Sequence, residues 1–282
     1  MQGSVDISVG YRDMKMHRFS RTELLIGSRG IATLAAKNVM VCGIGGVGSY
    51  AAEALGRAGV EKIRLVDFDD ICLTNVNRQI HALSSTVGLS KVEAMKARLL
   101  DINPATDISA VKAFFSEENA AELLNPRPDY VLDAIDHFTA KVALIKLCRE
   151  MDIPVISSMG AANKLDPTKI QVADISATRN CRMARSMRKI LRQNGIEHGV
   201  QVVYSTEEHR ELNQLATGCG TECICPNREE QTFRCEHRRM ILGSISFIPS
   251  IFGLTMAGVV INDLLTVNRE GLSTISVFNT PE

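Results

Sequence analysis

Val39-Met40-Val41-Cys42-Gly43-Ile44-Gly45-Gly46-Val47-Gly48-Ser49 is the stretch whose reading decides the fold. A short apolar run leads into G-x-G-x-x-G, and a helix-forming stretch begins at Ser49. Glycines at Gly43, Gly45, Gly46 and Gly48 permit a tight turn, let the backbone approach phosphate, and let strand and helix pack closely. The following helix N-terminus offers N–H donors and partial positive charge to an anion. Asp67 closes the next apolar run, 19 residues beyond Gly48, where an acidic residue accepts hydrogen bonds from ribose hydroxyls. These residues alone describe a nucleotide site, with NAD as the first expectation.

Outward from this loop, short apolar runs alternate with longer periodic segments, the pattern of a parallel sheet covered by helices. The spacing predicts strands over 38–42, 62–66, 108–111, 130–134 and 154–158, and helices over 49–58, 91–102, 117–123 and 139–151. The expected architecture is α/β: a doubly wound, mostly parallel, Rossmann-like sheet with a C-terminal insertion or extension. Residues 1–160 form the expected nucleotide-binding domain, and 161–282 a C-terminal region. Within the latter, 162–236 reads as an insertion with a strand-like piece at 169–175, a basic helix-like piece and a cysteine-bearing loop. Residues 273–278 alternate again, as a returning edge strand would.

Composition narrows the class. With 282 residues, 45% of them hydrophobic, the chain can bury a sizeable core. Lysine plus arginine and aspartate plus glutamate are both 32, so any basic surface must be local. No cationic and then apolar leader with a cleavage site opens the chain, and eight cysteines are too sparse for a disulfide scaffold, so a reducing cytoplasm is expected. Residues 241–267 are nearly uncharged and about as long as a bilayer span. Gly243, Ser244, Ser246, Pro249, Ser250 and Gly253 argue for two buried pieces rather than a membrane segment.

Downstream of Asp67 come Asp69-Asp70-Ile71-Cys72-Leu73-Thr74-Asn75-Val76-Asn77-Arg78-Gln79 and Val87-Gly88-Leu89-Ser90-Lys91-Val92-Glu93. A dehydrogenase needs no such cluster, whereas a triphosphate needs cations and polar donors at hand, which Arg78 and Lys91 supply. Gly-x-Gly-Gly-x-Gly-Ser, Asp-x-Asp, Thr-Asn-x-Asn-Arg-Gln and Val-Gly-x-x-Lys-Val-Glu, in this order, resemble the adenylation domain of the ThiF/MoeB/HesA superfamily, relatives of ubiquitin-activating enzymes. The resemblance covers roughly residues 18–158 and implies ATP as the ligand. By it, Asp67 binds ribose, Asn75, Arg78 and Lys91 bind phosphates, and Asp136 in Asp133-Ala134-Ile135-Asp136 helps hold Mg²⁺. Asp69 completes the Asp-x-Asp motif, although Asp69 and Asp70 also suit a turn. Arg21 matches an arginine that reaches the neighbouring subunit's ATP, which implies a homodimer.

Residues 163–175, Tyr204-Ser205-Thr206-Glu207, Gly243-Ser244-Ile245-Ser246-Phe247-Ile248-Pro249, Gly253-Leu254 and Ala257-Gly258 resemble one branch of that superfamily, the tRNA threonylcarbamoyladenosine dehydratases. The branch adenylates a carboxylate on the modified base next to the tRNA anticodon. Internal attack on the activated acyl carbon then expels AMP and closes a ring. Positioned ATP, a metal and cations suffice; no protein nucleophile is required. Arg179, Arg182, Arg185, Arg188, Lys189 and Arg192 place six cations in fourteen residues, several at helical spacing, and tRNA phosphates are their expected partner.

Cys219, Cys223, Cys225 and Cys235 with His237 form C-x₃-C-x-C-x₉-C-x-H, without the paired C-x₂-C spacing of most structural zinc sites. Zinc is a candidate that this spacing does not favour, and unliganded loop thiols are the main expectation. A reactive or sulfur-handling thiol would suit a sulfur-relay protein or cysteine desulfurase as partner. Two further functional readings compete: adenylation of a ubiquitin-like sulfur carrier of the ThiS/MoaD type, and an NAD-binding redox or regulatory module.

Overall fold

The computed structural model describes residues 16–210 and 242–266. Among these residues seven strands lie in one sheet: β1 (Asn38–Cys42), β2 (Lys62–Val66), β3 (Asp107–Val111), β4 (Tyr130–Asp133), β5 (Val155–Ser158), β6 (Ile170–Asp174) and β7 (Gln201–Ser205). Their order is β3-β2-β1-β4-β5-β7-β6. All neighbours pair in parallel except β6, which runs antiparallel along β7 at the edge. The strand order reverses between β1 and β4, and in open α/β sheets that switch point is where ligands settle.

Among the described residues seven helices flank the sheet: α1 (Ser20–Ala36), α2 (Gly48–Ala58), α3 (Lys91–Ile102), α4 (Ala120–Leu123), α5 (Phe138–Glu150), α6 (Arg182–Gln193) and α7 (Phe247–Thr266). Successive β1 side chains point to opposite faces. Val39 and Val41 join Leu55, Val92, Met95, Phe252 and Met256 on one side. Met40 and Cys42 join Val131, Leu144 and Cys148 on the other. Helices thus cover both faces, which is why the strands read as continuous apolar runs.

The strands and helices predicted from periodicity are present, with small shifts at their ends; α4 begins at Ala120 rather than at 117. Two elements have no clear pattern in the sequence. α1 is interrupted at Gly27, whose φ is 72°, and it exposes Leu24 and Leu25, so no apolar stripe announces it. β7 pairs in parallel with β5, Ile156 opposite Gln201 and Ser158 opposite Val203. The segment read as an insertion therefore continues the main sheet, and hydrogen bonds cross the boundary expected at 160. Residues 273–278 lie outside the described residues.

The apolar segment at 241–267 also differs from expectation. Instead of two pieces, α7 runs unbroken over twenty residues. Pro249 falls in its first turn, where an N–H would have no intrahelical acceptor. By length and composition alone α7 could cross a membrane. One of its faces lies in the core, however, with Ile248, Phe252, Met256, Ala257 and Val260 buried. A Cβ on Gly253 would overlap the Val47 carbonyl oxygen and lie 2.9 Å from the Ala51 nitrogen, so α7 crosses α2 backbone against backbone.

Candidate nucleotide site

The glycine loop leaves β1 at the carboxyl edge of the sheet. Gly43 donates its N–H to the Val66 carbonyl at 2.8 Å and adopts φ of 87°. A Cβ there would lie 2.6 Å from the Ala134 oxygen. Gly48 opens α2 and approaches the Gly43 carbonyl so closely that any Cβ would collide with it. This turn leaves the N-terminal donors of α2 facing the edge at which ligands bind.

Asp67, just past β2 and 8% exposed, accepts the Ile44 N–H at 2.6 Å and the Asp69 N–H at 2.8 Å. Its carboxylate thus clamps the loop and keeps acceptor capacity in reserve. Lys91, the first residue of α3, is 6% exposed; its Nζ lies 2.6 Å from Asp69 Oδ2 and 3.9 Å from Asp67 Oδ1. Burial opposes charge on Lys91, but Asp67 and Asp69 outweigh it and raise its pKa above the ordinary lysine value. Burial also pushes the Asp67 carboxyl up, against the pull of Lys91 and two backbone donors. Lys91 is therefore a firmly charged cation held beside the loop. Asp69 is part of the site, while Asp70 turns away to pair with Lys112 at 2.7 Å.

Arg78 reaches the same loop. Its Cγ lies 3.3 Å from the place a Cβ on Gly46 would take, and its guanidinium donates to the Thr74 carbonyl and Asn77 Oδ1, both at 2.9 Å. Asn75 Oδ1 accepts the Cys72 N–H at 3.0 Å and shapes the turn that presents Arg78. Asp136 stands exposed on the turn after β4, and its charge contributes to the raised pKa of Lys91. Among the described residues no group of three or more His, Cys, Asp or Glu is arranged to hold a metal. Magnesium usually takes one or two carboxylates, with waters and substrate phosphates completing its shell, so one exposed carboxylate beside a triphosphate site fits it. Cys219, Cys223, Cys225, Cys235 and His237 lie outside the described residues.

Two further residues at the site carry no assigned role from the sequence. Gln79 is 6% exposed, its Oε1 has no partner, and its Nε2 lies 3.9 Å from a Cβ placed on Gly45. The motif containing Arg78 could have flagged it. His81 is 2% exposed with neither ring nitrogen paired; burial, then Lys91 and Arg98, push its pKa down to about 3, so it is neutral. No spacing signal distinguishes it.

Arg21 is not brought to its own chain's loop. Phe19 rests 3.8 Å from a Cβ on Gly59, past the C-terminal end of α2, and Arg18 donates to the Ile102 carbonyl ending α3 at 2.6 Å. The glycine loop lies at the other end of α2, about 16 Å away for eleven residues.

Helix α6 carries most of the cationic cluster. Arg182, Arg185, Lys189 and Arg192 are exposed and fall within an arc of about 80° at helical spacing, opposite buried Ala184, Met187 and Leu191. Arg179 is exposed just before the helix. Arg188 differs: half-buried, it donates to the Thr178 carbonyl at 2.9 Å and to Thr178 Oγ1, tying α6 to the preceding turn. One of its guanidinium nitrogens is thus engaged in holding structure, which sets Arg188 apart from its four exposed neighbours on the helix. Beside the N-terminus of α6 opens a cavity of about 400 Å³ with a lining of mixed charge, in which Lys169, His209 and Arg210 stand beside Glu207 and Glu208. His209 Nδ1 lies 3.1 Å from Asn163 Nδ2, Asn163 Oδ1 accepts the Gly243 N–H at 2.7 Å, and Asn77 donates to the Ser244 carbonyl at 3.0 Å. A chain of polar contacts thus links α6's end of the sheet edge to Arg78.

The family described as the ThiF family matches residues 19–281. The tRNA threonylcarbamoyladenosine dehydratase of Bacillus subtilis (strain 168) is 47% identical over 250 residues, covering 89% of this chain and 95% of that protein. That of Escherichia coli (strain K12) is 42% identical over 208 residues, covering 71% and 78%. The crystal structure of the E. coli tRNA N6-threonylcarbamoyladenosine dehydratase in complex with ATP is similar at a TM-score of 0.75 and 34% identity, over 90% of this chain and 96% of that one.

Proposed function

The chain belongs to the ThiF family, and on that premise we propose that it uses ATP to adenylate the carboxylate of tRNA threonylcarbamoyladenosine and then closes the ring with loss of AMP. The observation that carries this is the gathering of Lys91, Asp67, Asp69 and Arg78 around the glycine loop, in a chain similar along most of its length to enzymes of that activity. A sulfur-carrier or redox reading has no comparable support.

In the adenylation step the substrate carboxylate attacks the α-phosphorus and pyrophosphate departs. Lys91 and Arg78 stabilise charge on the phosphates, donors at the N-terminus of α2 receive the anion, and Asp67 accepts from ribose. Arg78 exchanges its contacts with Thr74 and Asn77 for phosphate oxygens. Asp136 would hold Mg²⁺, which when bound neutralises phosphate charge. In the second step an internal nucleophile of the modified base attacks the acyl carbon, and the acyl–oxygen bond to AMP breaks. The net change in the tRNA is loss of one water, its oxygen leaving on AMP. Two copies assemble so that Arg21 of each completes the other's site, a reading supported by its distance from its own loop.

Incubation with ATP and tRNA bearing the linear modification should yield AMP in step with a nucleoside lighter by one water, read by mass spectrometry. AMP formed only with an added sulfur-carrier protein would sink the proposal. The basic face of α6 meets tRNA phosphates in this reading. Reversing charge at Arg182, Arg185, Lys189 and Arg192, with Arg188 left intact, should weaken tRNA binding and spare ATP binding. The slope of log affinity against log salt should flatten by roughly 0.7–0.9 per lost contact. Superimposable salt series for wild type and variant would remove α6 from the interface.

A further inference from the structure

Beneath the turn that carries Asp136 lies a buried polar group that the reaction described above does not use. Asp133, the last residue of β4, Lys141, in the first turn of α5, and Ser157 of β5 are all 0% exposed. Lys141 Nζ is 2.6 Å from Asp133 Oδ2 and 3.0 Å from Ser157 Oγ. Ser157 Oγ donates to the same Asp133 Oδ2 at 2.6 Å. The other carboxylate oxygen, Oδ1, accepts the Ile135 N–H at 3.1 Å, inside the turn itself.

An enclosed ion pair is often no more stabilising than apolar residues of the same volume, because both charges leave water. Stability alone therefore gives a weak reason for this arrangement. Its geometry gives a stronger one. One oxygen of Asp133 is fixed from beneath by an ammonium and a hydroxyl, which orients the other oxygen towards the backbone of the next two residues. The same turn is wedged from the opposite side: the Ala134 N–H donates to the Cys42 carbonyl at 2.8 Å, and the Ala134 oxygen lies 2.6 Å from a Cβ placed on Gly43. The residues at 134–136 are thus held between the glycine loop and this buried group.

We propose that Asp133, Lys141 and Ser157 are positioning residues that lock the 134–136 turn and thereby aim the Asp136 carboxylate at the cation accompanying ATP. The inference rests on the role of Asp136 given under the proposed function. Removing Lys141 would leave a buried carboxylate without its cation and endanger folding, so Ser157 is the better probe. Ser157→Ala keeps the Lys141–Asp133 pair, and Ser157→Thr keeps the hydroxyl on a residue suited to a strand.

The test titrates Mn²⁺ into full-length protein with a non-hydrolysable ATP analogue, following free Mn²⁺ by electron paramagnetic resonance, with melting temperature as the check on folding. Groups bonded directly to metal ligands typically change affinity 10- to 100-fold; Ser157 acts further out, through Asp133 and the Ile135 N–H, so Ser157→Ala should weaken Mn²⁺ binding severalfold and Ser157→Thr should restore most of it. Asp136→Asn should weaken binding at least as much, and Ser157→Ala added to it should do no further harm, because both act through one carboxylate. Fully additive losses, or wild-type affinity in folded Ser157→Ala, would overturn the positioning role while leaving Asp136 in place. Wild-type affinity and AMP formation in Asp136→Asn would instead overturn the reading on which the inference depends.

Discussion

Lys91→Ala should lower AMP formation by about two to three orders of magnitude, the loss expected when one preorganised charge contact to a transition state is removed, about 2.7–4 kcal/mol. Lys91 is enclosed, charged and tied to Asp69 at 2.6 Å, so no other cation or water replaces it without rearrangement. Folding should survive. Asp69 is partly exposed and turns to solvent, while Asp67, already pushed up by burial, relieves itself by taking a proton. Comparable melting curves with undiminished turnover would show that Lys91 plays no part in the chemistry. The same variant tests the shared-site arrangement. An equal mixture of inactive Lys91→Ala and inactive Arg21→Ala proteins, allowed to exchange subunits, should regain about a quarter of wild-type activity, because half the dimers are mixed and each of those holds one complete site. Mixed dimers that form but stay inactive would return Arg21 to its own subunit.

Gly48→Ala should abolish nucleotide binding. The added methyl would collide with the Gly43 carbonyl, and Gly43 has little room to retreat, since its N–H is held by the Val66 carbonyl and even a Cβ on it would lie 2.6 Å from the Ala134 oxygen. Overpacking typically costs about 1–3 kcal/mol, and a backbone collision belongs at the upper end. Wild-type protein at a hundredfold excess of ATP over its dissociation constant should gain about 2.7 kcal/mol of apparent stability; the variant should gain none. Gly258→Ala is the control, since nothing lies within 4 Å of its added methyl. Equal ATP-induced melting shifts in Gly48→Ala and wild type would mean that the tight loop is not the phosphate site.

The parts of the fold legible in the sequence are those governed by neighbours along the chain. The run at β1, the glycines after it and the helix beginning at Gly48 are set by local sterics, so periodicity and composition locate them. β7 is a short apolar run that follows the basic helix α6, but only its pairing with β5, more than forty residues earlier, makes it a strand of this sheet. Lys91 and Asp69 are recognisable as motif residues, but their contact spans 22 positions. Asp133, Lys141 and Ser157 meet only because two strands and a helix are packed together, and no spacing rule records that. Arg188 shows the converse: it shares the charge and spacing of its neighbours, yet the Thr178 turn claims it.

The crossing of α7 over α2 has a consequence for how the protein is made. Gly253 meets the backbone at Val47 and Ala51, about two hundred residues earlier in the chain, so the start of α2 gains its brace only when α7 has left the ribosome. Translation delivers the loop before its support. Between the emergence of the loop and that of α7, the nascent chain carries the phosphate-binding residues without the helix that braces the start of α2. Competence for ATP should therefore wait for α7, and a chain truncated before α7 should bind ATP more weakly than one that includes it.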